Sequence, residues 1–236
     1  MRRPKAPEGP AAWEAVEAAI RSRASIRAFR PDPVDRATIE CLLETAARAP
    51  SANNHQPWHV YAFAGETKAR ISEEILAVRR SGEEGHEAEY VYAMKQWREP
   101  YKARRREVGW ALYDLMGVVK GDYEGSRAAA DRNYVFFDAP VGMILTIERD
   151  LSVGSWMDLG MFLQSLMVAA RGMGLDTCPQ EAFSPYHKIL RPLLGIPEEE
   201  IVVCGLALGH ADERAPANEL YTRREPLETY TTFRDL

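Results

Sequence analysis

Apolar residues fall at helical spacing in some stretches of the chain and alternate or run together in others. Trp13, Val16 and Ile20 share one helical face and predict a helix from Ala11 to about Ser22. Ile39, Leu42, Leu43, Ala46 and Ala47 make a second face, with Asp35 placed as its N-cap and Pro50 just past its end. HVYAF, from His59, alternates and is rich in strand-formers, so it predicts a strand. A third helix, from about Thr67 to Arg80, gathers Ile71, Ile75 and Leu76. APVGMILTIE reads as a buried strand. GSWMDLGMFLQSLMVAAR, from Gly154, is apolar nearly all round and interrupted chiefly by Asp158 and Gln164, which predicts a buried helix too short to span a bilayer. GLDTCPQEAF gives a short strand ending in a turn, and Ser184 and Pro185 supply an N-cap and first position for a helix to Leu194. EIVVCGLALG is the last strong strand.

Two stretches break this rhythm. Residues 81–135 are polar and charge-rich with scattered aromatics, an excursion from the core that is partly helical, and residues from about 211 onward form an extended polar tail. Strands separated by helices imply a mixed sheet with helices on its faces, and 236 residues are long enough for one substantial domain or two small ones.

Composition narrows the class. The 236 residues, 46% hydrophobic and 28% charged, are ordinary globular usage, which excludes fibrous and disordered classes. A net charge of −5 gives no global reason to bind nucleic acid or an acidic membrane. Cys41, Cys178 and Cys204 form no CxxC pair and fit a reducing, cytoplasmic setting. The basic start MRRPKAPEGP runs into AAWEAVEAAI, whose two glutamates do not suit a signal peptide.

Several chemistries lack their residues. There is no GxSxG elbow, and RGMGLD puts Thr177 where a dinucleotide fingerprint needs its third glycine. His55 and His59 are four apart but separated by Pro57 at a strand entrance, and HEAEY at His86 has no second histidine, so no metal site is expected. YKARRR, residues 101–106, reads as a solvated face balanced by Glu99, Glu107 and Asp114 rather than a nucleic-acid surface.

What remains is a constellation of three segments. Arg23 and Arg27 sit among small hydroxyls in RSRASIR; Ser51, Asn53, Asn54 and Gln56 crowd one loop; Arg223 and Arg224 lie in the tail. Taken singly these are a solvated helix end, a capped turn and a charged tail. Together they could clamp a phosphorylated cofactor, because the planar guanidinium binds phosphate bidentately with permanent charge.

RASIRAF, APSANNHQPW, FFDAPVGMIL, GSWMDLGMFLQSLMVAARGMGLDTCPQEAF, VVCGLALGHAD and NELYTRREPLE occur in this order over nearly the whole chain. In these segments the sequence resembles the FMN-dependent nitroreductase family, most of all its branch of nitrobenzoate-type and related nitroaromatic reductases. The resemblance implies a single α+β, nitroreductase-like domain spanning residues 1–236 and an obligate homodimer with two FMN sites at the interface and the C-terminal tail exchanged onto the partner. It implies that Arg23 and Ser25 meet the phosphate and ribityl chain, Ala24 by backbone only, and that Arg27 approaches the pyrimidine side of the ring. Ser51, Asn53 or Asn54, and Gln56 would reach the partner's flavin. Pro179, Gln180, Glu181 and Ala182 would lie along the ring, and Arg224, helped by Arg223, would close on the phosphate.

The implied reaction is ping-pong reduction of nitroaromatic compounds by NAD(P)H, nitro to nitroso to hydroxylamine, with no obligatory protein acid or base. The 81–135 excursion would cap the pocket, with Trp97, Tyr101, Trp110, Tyr113 and Phe136 as walls for a small aromatic substrate and Arg98, Lys102 or Arg104 to meet a substrate carboxylate. Dehalogenation, enone reduction or flavin-consuming chemistry on the same scaffold, or a non-enzymatic flavin-binding role, are the rival readings.

Overall fold

Four strands carry the architecture: β1 (His59–Ala64), β2 (Val141–Glu148), β3 (Asp176–Gln180) and β4 (Glu200–Gly209), in spatial order β1-β2-β4-β3. Every ladder in the sheet is antiparallel, so the expected mixed sheet is corrected. The one parallel pairing among the described residues is the isolated bridge of Ser25 with Thr177, beside β3. Strand–helix alternation reveals a connection between strands but not the direction in which the chain re-enters the sheet. The computed structural model describes residues 4–235; the basic start Met1–Arg3 and the terminal Leu236 lie outside the described residues.

Helices cover the sheet. α1 (Pro10–Ser22), α2 (Arg36–Ala46) and α3 (Gly65–Ser81) match the predicted segments closely, and the Asp35 carboxylate caps α2 by accepting from Thr38 N at 2.7 Å. The excursion holds α4 (Tyr101–Leu115) and α5 (Tyr123–Asp131). α6 (Val153–Gly172) has 20 residues, so by length and composition alone it is long and apolar enough to cross a bilayer, contrary to the expectation that it is too short. Its Leu159, Phe162, Leu166 and Ala170 pack instead against the sheet and α2. α7 (His187–Leu194) starts later than expected: Ser184 is fully buried in a 3-10 turn and donates to Glu181 Oε1 at 2.7 Å, so it caps nothing. A short α8 (Leu227–Tyr230) interrupts an otherwise irregular tail.

Seven of the eight residues of β2 are buried, because helices cover both faces of the sheet. Val141, Met143, Leu145 and Ile147 meet α2 and α6 on one face. On the other, Phe136 stacks on Phe183 at 4.4 Å and meets Phe63 edge-on at 5.5 Å. Two glycines make room for these rings. A Cβ at Gly205 would come within 2.4 Å of Phe183, and one at Gly142 within 2.6 Å of Phe63 and 2.9 Å of Phe136.

Candidate functional site

The bridge between Ser25 and Thr177, with Ile26 N donating to Thr177 O at 3.1 Å, lays RSRASIR along the outer edge of β3. Pro179 in that strand has no N–H to pair, a residue suited to a sheet edge. The tail then crosses the same place. Arg23, Ala24, Ser25 and Arg27 line a cavity of about 120 Å³ together with Val108 of α4 and Leu220, Tyr221, Thr222 and Arg224 of the tail. Segments nearly two hundred residues apart in sequence thus converge, as the constellation predicted for Arg23, Ser25, Arg27 and Arg224.

The charge in this cavity is unbalanced. No carboxylate lines it, and among the described residues Arg23, Arg27 and Arg224 have no carboxylate partner. Arg27 Nη1 donates to Ser25 O at 3.1 Å, and Arg224 Nη1 to Thr222 Oγ1 at 2.7 Å. Both contacts are local, so they orient the guanidinium groups without neutralising them. The positive field reaches β3: burial pushes the Cys178 thiol up to about 11, while Arg27 and Arg23 pull it the other way.

Arg223, adjacent in sequence, behaves differently. Its Nε donates to Glu107 Oε1 at 3.0 Å, and Arg104 Nε donates to Glu225 Oε1 at 2.9 Å, so two ion pairs tie the tail to α4. These residues line a larger, neighbouring cavity of about 870 Å³. Arg223, expected to help at the anion, is thus engaged by Glu107 and does not line the cavity of Arg23, Arg27 and Arg224.

The other predicted residues divide. Gln180 is buried, and its Nε2 donates to Asn133 O at 2.8 Å, so it anchors the end of the excursion. The Glu181 carboxylate turns inward to Ser184, and Ala182 packs against the core. The loop with Ser51, Asn53, Asn54 and Gln56 does not line the arginine cavity of its own chain. Its backbone is unusual: Asn53, Asn54 and Gln56 have φ of 47°, 59° and 50°, a region asparagine tolerates and glutamine rarely enters. Ser51 Oγ accepts from Gln56 N at 3.0 Å, and the buried Asp158 of α6 accepts from Ala52 N at 3.1 Å, holding the loop in shape.

Of the expected aromatic walls, Phe136 is corrected: it is fully buried and belongs to the core stack. Trp97, Tyr101 and Trp110 are exposed, and Tyr113 meets Trp110 edge-on at 6.4 Å. Arg98 lies 5.0 Å over the Tyr101 ring and Arg105 5.0 Å over Trp97. None of these aromatics lines the arginine cavity, which α4 reaches through Val108. His59 lies 3.8 Å from Glu148 and 3.7 Å from Glu200.

Two site features escaped sequence reasoning. Asp158 was visible only as a polar interruption of an apolar helix. Asn218, inside the NELYTRREPLE segment, binds the backbone of Arg27 and Ala28, and no local pattern marks it.

Comparison with known proteins adds to this geometry. A sequence model described as "Nitroreductase family" matches residues 20–210. The chain is 38% identical over 218 residues to a chloronitrobenzene nitroreductase of Comamonas testosteroni, covering 92% of this chain and 96% of that protein. It is 38% identical over 224 residues to a 4-nitrobenzoate reductase of Nocardioides sp., covering 94% and 91%. A crystal structure of the FMN and NADPH-dependent nitroreductase NfnB from sphigopyxis sp. strain HMH superposes with a TM-score of 0.90 at 37% identity, over 94% of this chain and 99% of that one.

Proposed function

The chain belongs to the nitroreductase family, and from that membership we propose that it reduces nitroaromatic compounds with NAD(P)H, using FMN as its cofactor. The observation that carries this reading is the cavity bordered by Arg23, Arg27 and Arg224, three guanidinium groups without carboxylate partners among the described residues, with Ser25 and Thr222 in the same lining. A phosphomonoester fits that donor set: it supplies the missing negative charge and accepts from both hydroxyls. The chemistry FMN supplies when bound is two-electron transfer from the nicotinamide to the nitro group, taking the substrate to the nitroso and then the hydroxylamine level in ping-pong half-reactions.

The chain's own residues bind, orient and polarise. Arg23 and Arg224 would hold the phosphate, and Ala24, which lines the same cavity, would contribute its main chain. Arg27, placed toward the ring, offers a fixed cation where electron density is gained, which favours reduction without reorganisation of solvent. Pro179 and Gln180, in the strand that bridges to Ser25 through Thr177, would border the same side by their main chain, and the backbone of Glu181 and Ala182 follows in the 3-10 turn beyond it. Ser51, Asn53, Asn54 and Gln56 do not line the cavity of their own chain and would serve the partner's site. That requires an obligate homodimer. Its support is the apolar surface left open on α1 and α6, where Trp13, Val16, Ile20 and Met157 are all exposed. Leu227, Tyr230 and Phe233 are exposed along the tail as well, suited to continue onto the partner. Tyr101, Trp110 and Tyr113 of α4, with Trp97 just before it, would wall the substrate.

The test is direct. Purified protein should carry FMN after dialysis, lose its visible absorbance when NADPH or NADH is added without oxygen, and regain it on addition of 4-nitrobenzoate. Protein that cannot be reconstituted with FMN, or that is reoxidised only by acceptors other than nitroarenes, would overturn the reading.

A further inference from the structure

We infer that Asn218 is a positioning residue for Arg27, an inference that rests on the reading of Arg27 as a cation facing the cofactor. The backbone donors of residues 26–30 find two kinds of partner. Ile26 N donates to Thr177 O at 3.1 Å, Phe29 N to Phe137 O at 3.0 Å, and Arg30 N to His210 O at 2.9 Å. Arg27 N and Ala28 N have no main-chain acceptor among the described residues. Both converge on Asn218 Oδ1, at 2.7 and 3.2 Å. On its other side, Asn218 Nδ2 donates to Ala28 O at 2.8 Å and to Asp212 O at 2.9 Å. One side-chain amide therefore satisfies the two donors that the main chain leaves open and adds a donor to two carbonyls, of which Ala28 O also accepts from Asp212 N at 3.0 Å.

The consequence is geometric. Arg27 Nη1 reaches back only to Ser25 O, so nothing but its own backbone fixes where the guanidinium starts. That backbone is fixed by Asn218, which stands six residues before Arg224 in the same tail. Asn218 thereby ties the two arms of the cavity at a set spacing. Tyr221 Oη, donating to Arg21 O at 3.0 Å, is a second tie at the other end of RSRASIR. A neutral amide suits this place: it supplies both an acceptor and two donors, whereas a carboxylate would oppose the Ala28 and Asp212 carbonyls and add negative charge beside the cavity.

The experiment is a double-mutant cycle of Asn218→Ala and Arg27→Ala, read by the midpoint potential of bound FMN and by FMN affinity. Removing the Arg27 charge should disfavour reduction about tenfold, ~30 mV lower for a two-electron couple. Asn218→Ala should lower the potential by a comparable amount, and the double variant should fall no further. Additive shifts would overturn the inference, as would a wild-type potential in Asn218→Ala when Arg27→Ala moves it. If Arg27→Ala alone leaves the potential unchanged, the cofactor-facing role of Arg27 fails first and this inference falls with it. A measurement on the wild-type chain covers the case in which Asn218→Ala does not fold. Amide hydrogens of Arg27 and Ala28 should exchange as slowly as those of Ile26 and Phe29, and exchange at the rate of exposed amides would overturn the clamp.

Discussion

Two adjacent arginines in the tail have opposite circumstances. Arg224 has only local oxygens as partners and borders the cavity with Arg23 and Arg27, whereas Arg223 is spent on Glu107 at the surface. Arg23→Ala and Arg224→Ala should each weaken FMN binding by about 1.5–3 kcal/mol, the worth of a charge-assisted hydrogen bond, roughly tenfold or more in Kd. Arg223→Ala should leave FMN affinity close to wild type, because an exposed ion pair contributes little. Fluorescence titration of FMN into the three apoproteins checks the ranking. The sequence showed that RR is cationic. It could not show which arginine is neutralised, since the deciding glutamate stands more than a hundred positions away.

At the level of elements, the sheet is fitted to the aromatic rings on one of its faces. Gly205 admits Phe183, so Gly205→Ala should destabilise the fold by about 1–3 kcal/mol through overpacking, measured by denaturant unfolding, with the arginine cavity unaffected. The start of the excursion is pinned by Glu89, which accepts from Arg149 and Arg191, each at 2.8 Å, and stands 3.5 Å from His187. Burial holds His187 below its ordinary value of 6.5 against the opposing pull of Glu89. Burial also works to raise Glu89, but Arg149, His187 and Arg191 together bring it below 4.5. A neutral His187 contributes stability in full above pH 6.5 and loses it as pH falls through the folded value, because the unfolded chain binds the proton more readily. The Glu89 contribution is present above pH 4.5 and is lost as pH falls through its lower folded value. Melting temperature should therefore drop in two stages on acidification from pH 7, and Glu89→Gln should reduce the later one, to which Asp35 and Asp212, also held below their ordinary value, still contribute. Helix and strand positions were largely legible from periodicity, since a 3.6- or two-residue repeat is a local property. The delayed start of α7 was not, because Ser184 is buried by distant packing and bonds Glu181 instead of capping.

For the whole molecule, the open apolar faces of α1 and α6 carry the prediction of assembly. Trp13→Glu with Met157→Lys should shift the protein from dimer toward monomer in sedimentation, and FMN should be lost with it if the Ser51–Gln56 loop serves the partner's site. Wild-type protein that sediments as a monomer and still holds FMN would refute that arrangement. The sequence by itself determined the element order, the family, and the cationic and amide-rich segments from which a cofactor site is made, because patterning and motif residues are written locally. Only the tertiary structure decided that the sheet is antiparallel, that Phe136 is core rather than pocket wall, and that Arg23, Arg27 and Arg224 meet while Arg223 turns away. Each of these depends on which distant groups become neighbours. Such contacts are settled by the packing of the sheet, its aromatic layer and the tail that crosses them, and no stretch of sequence specifies them alone.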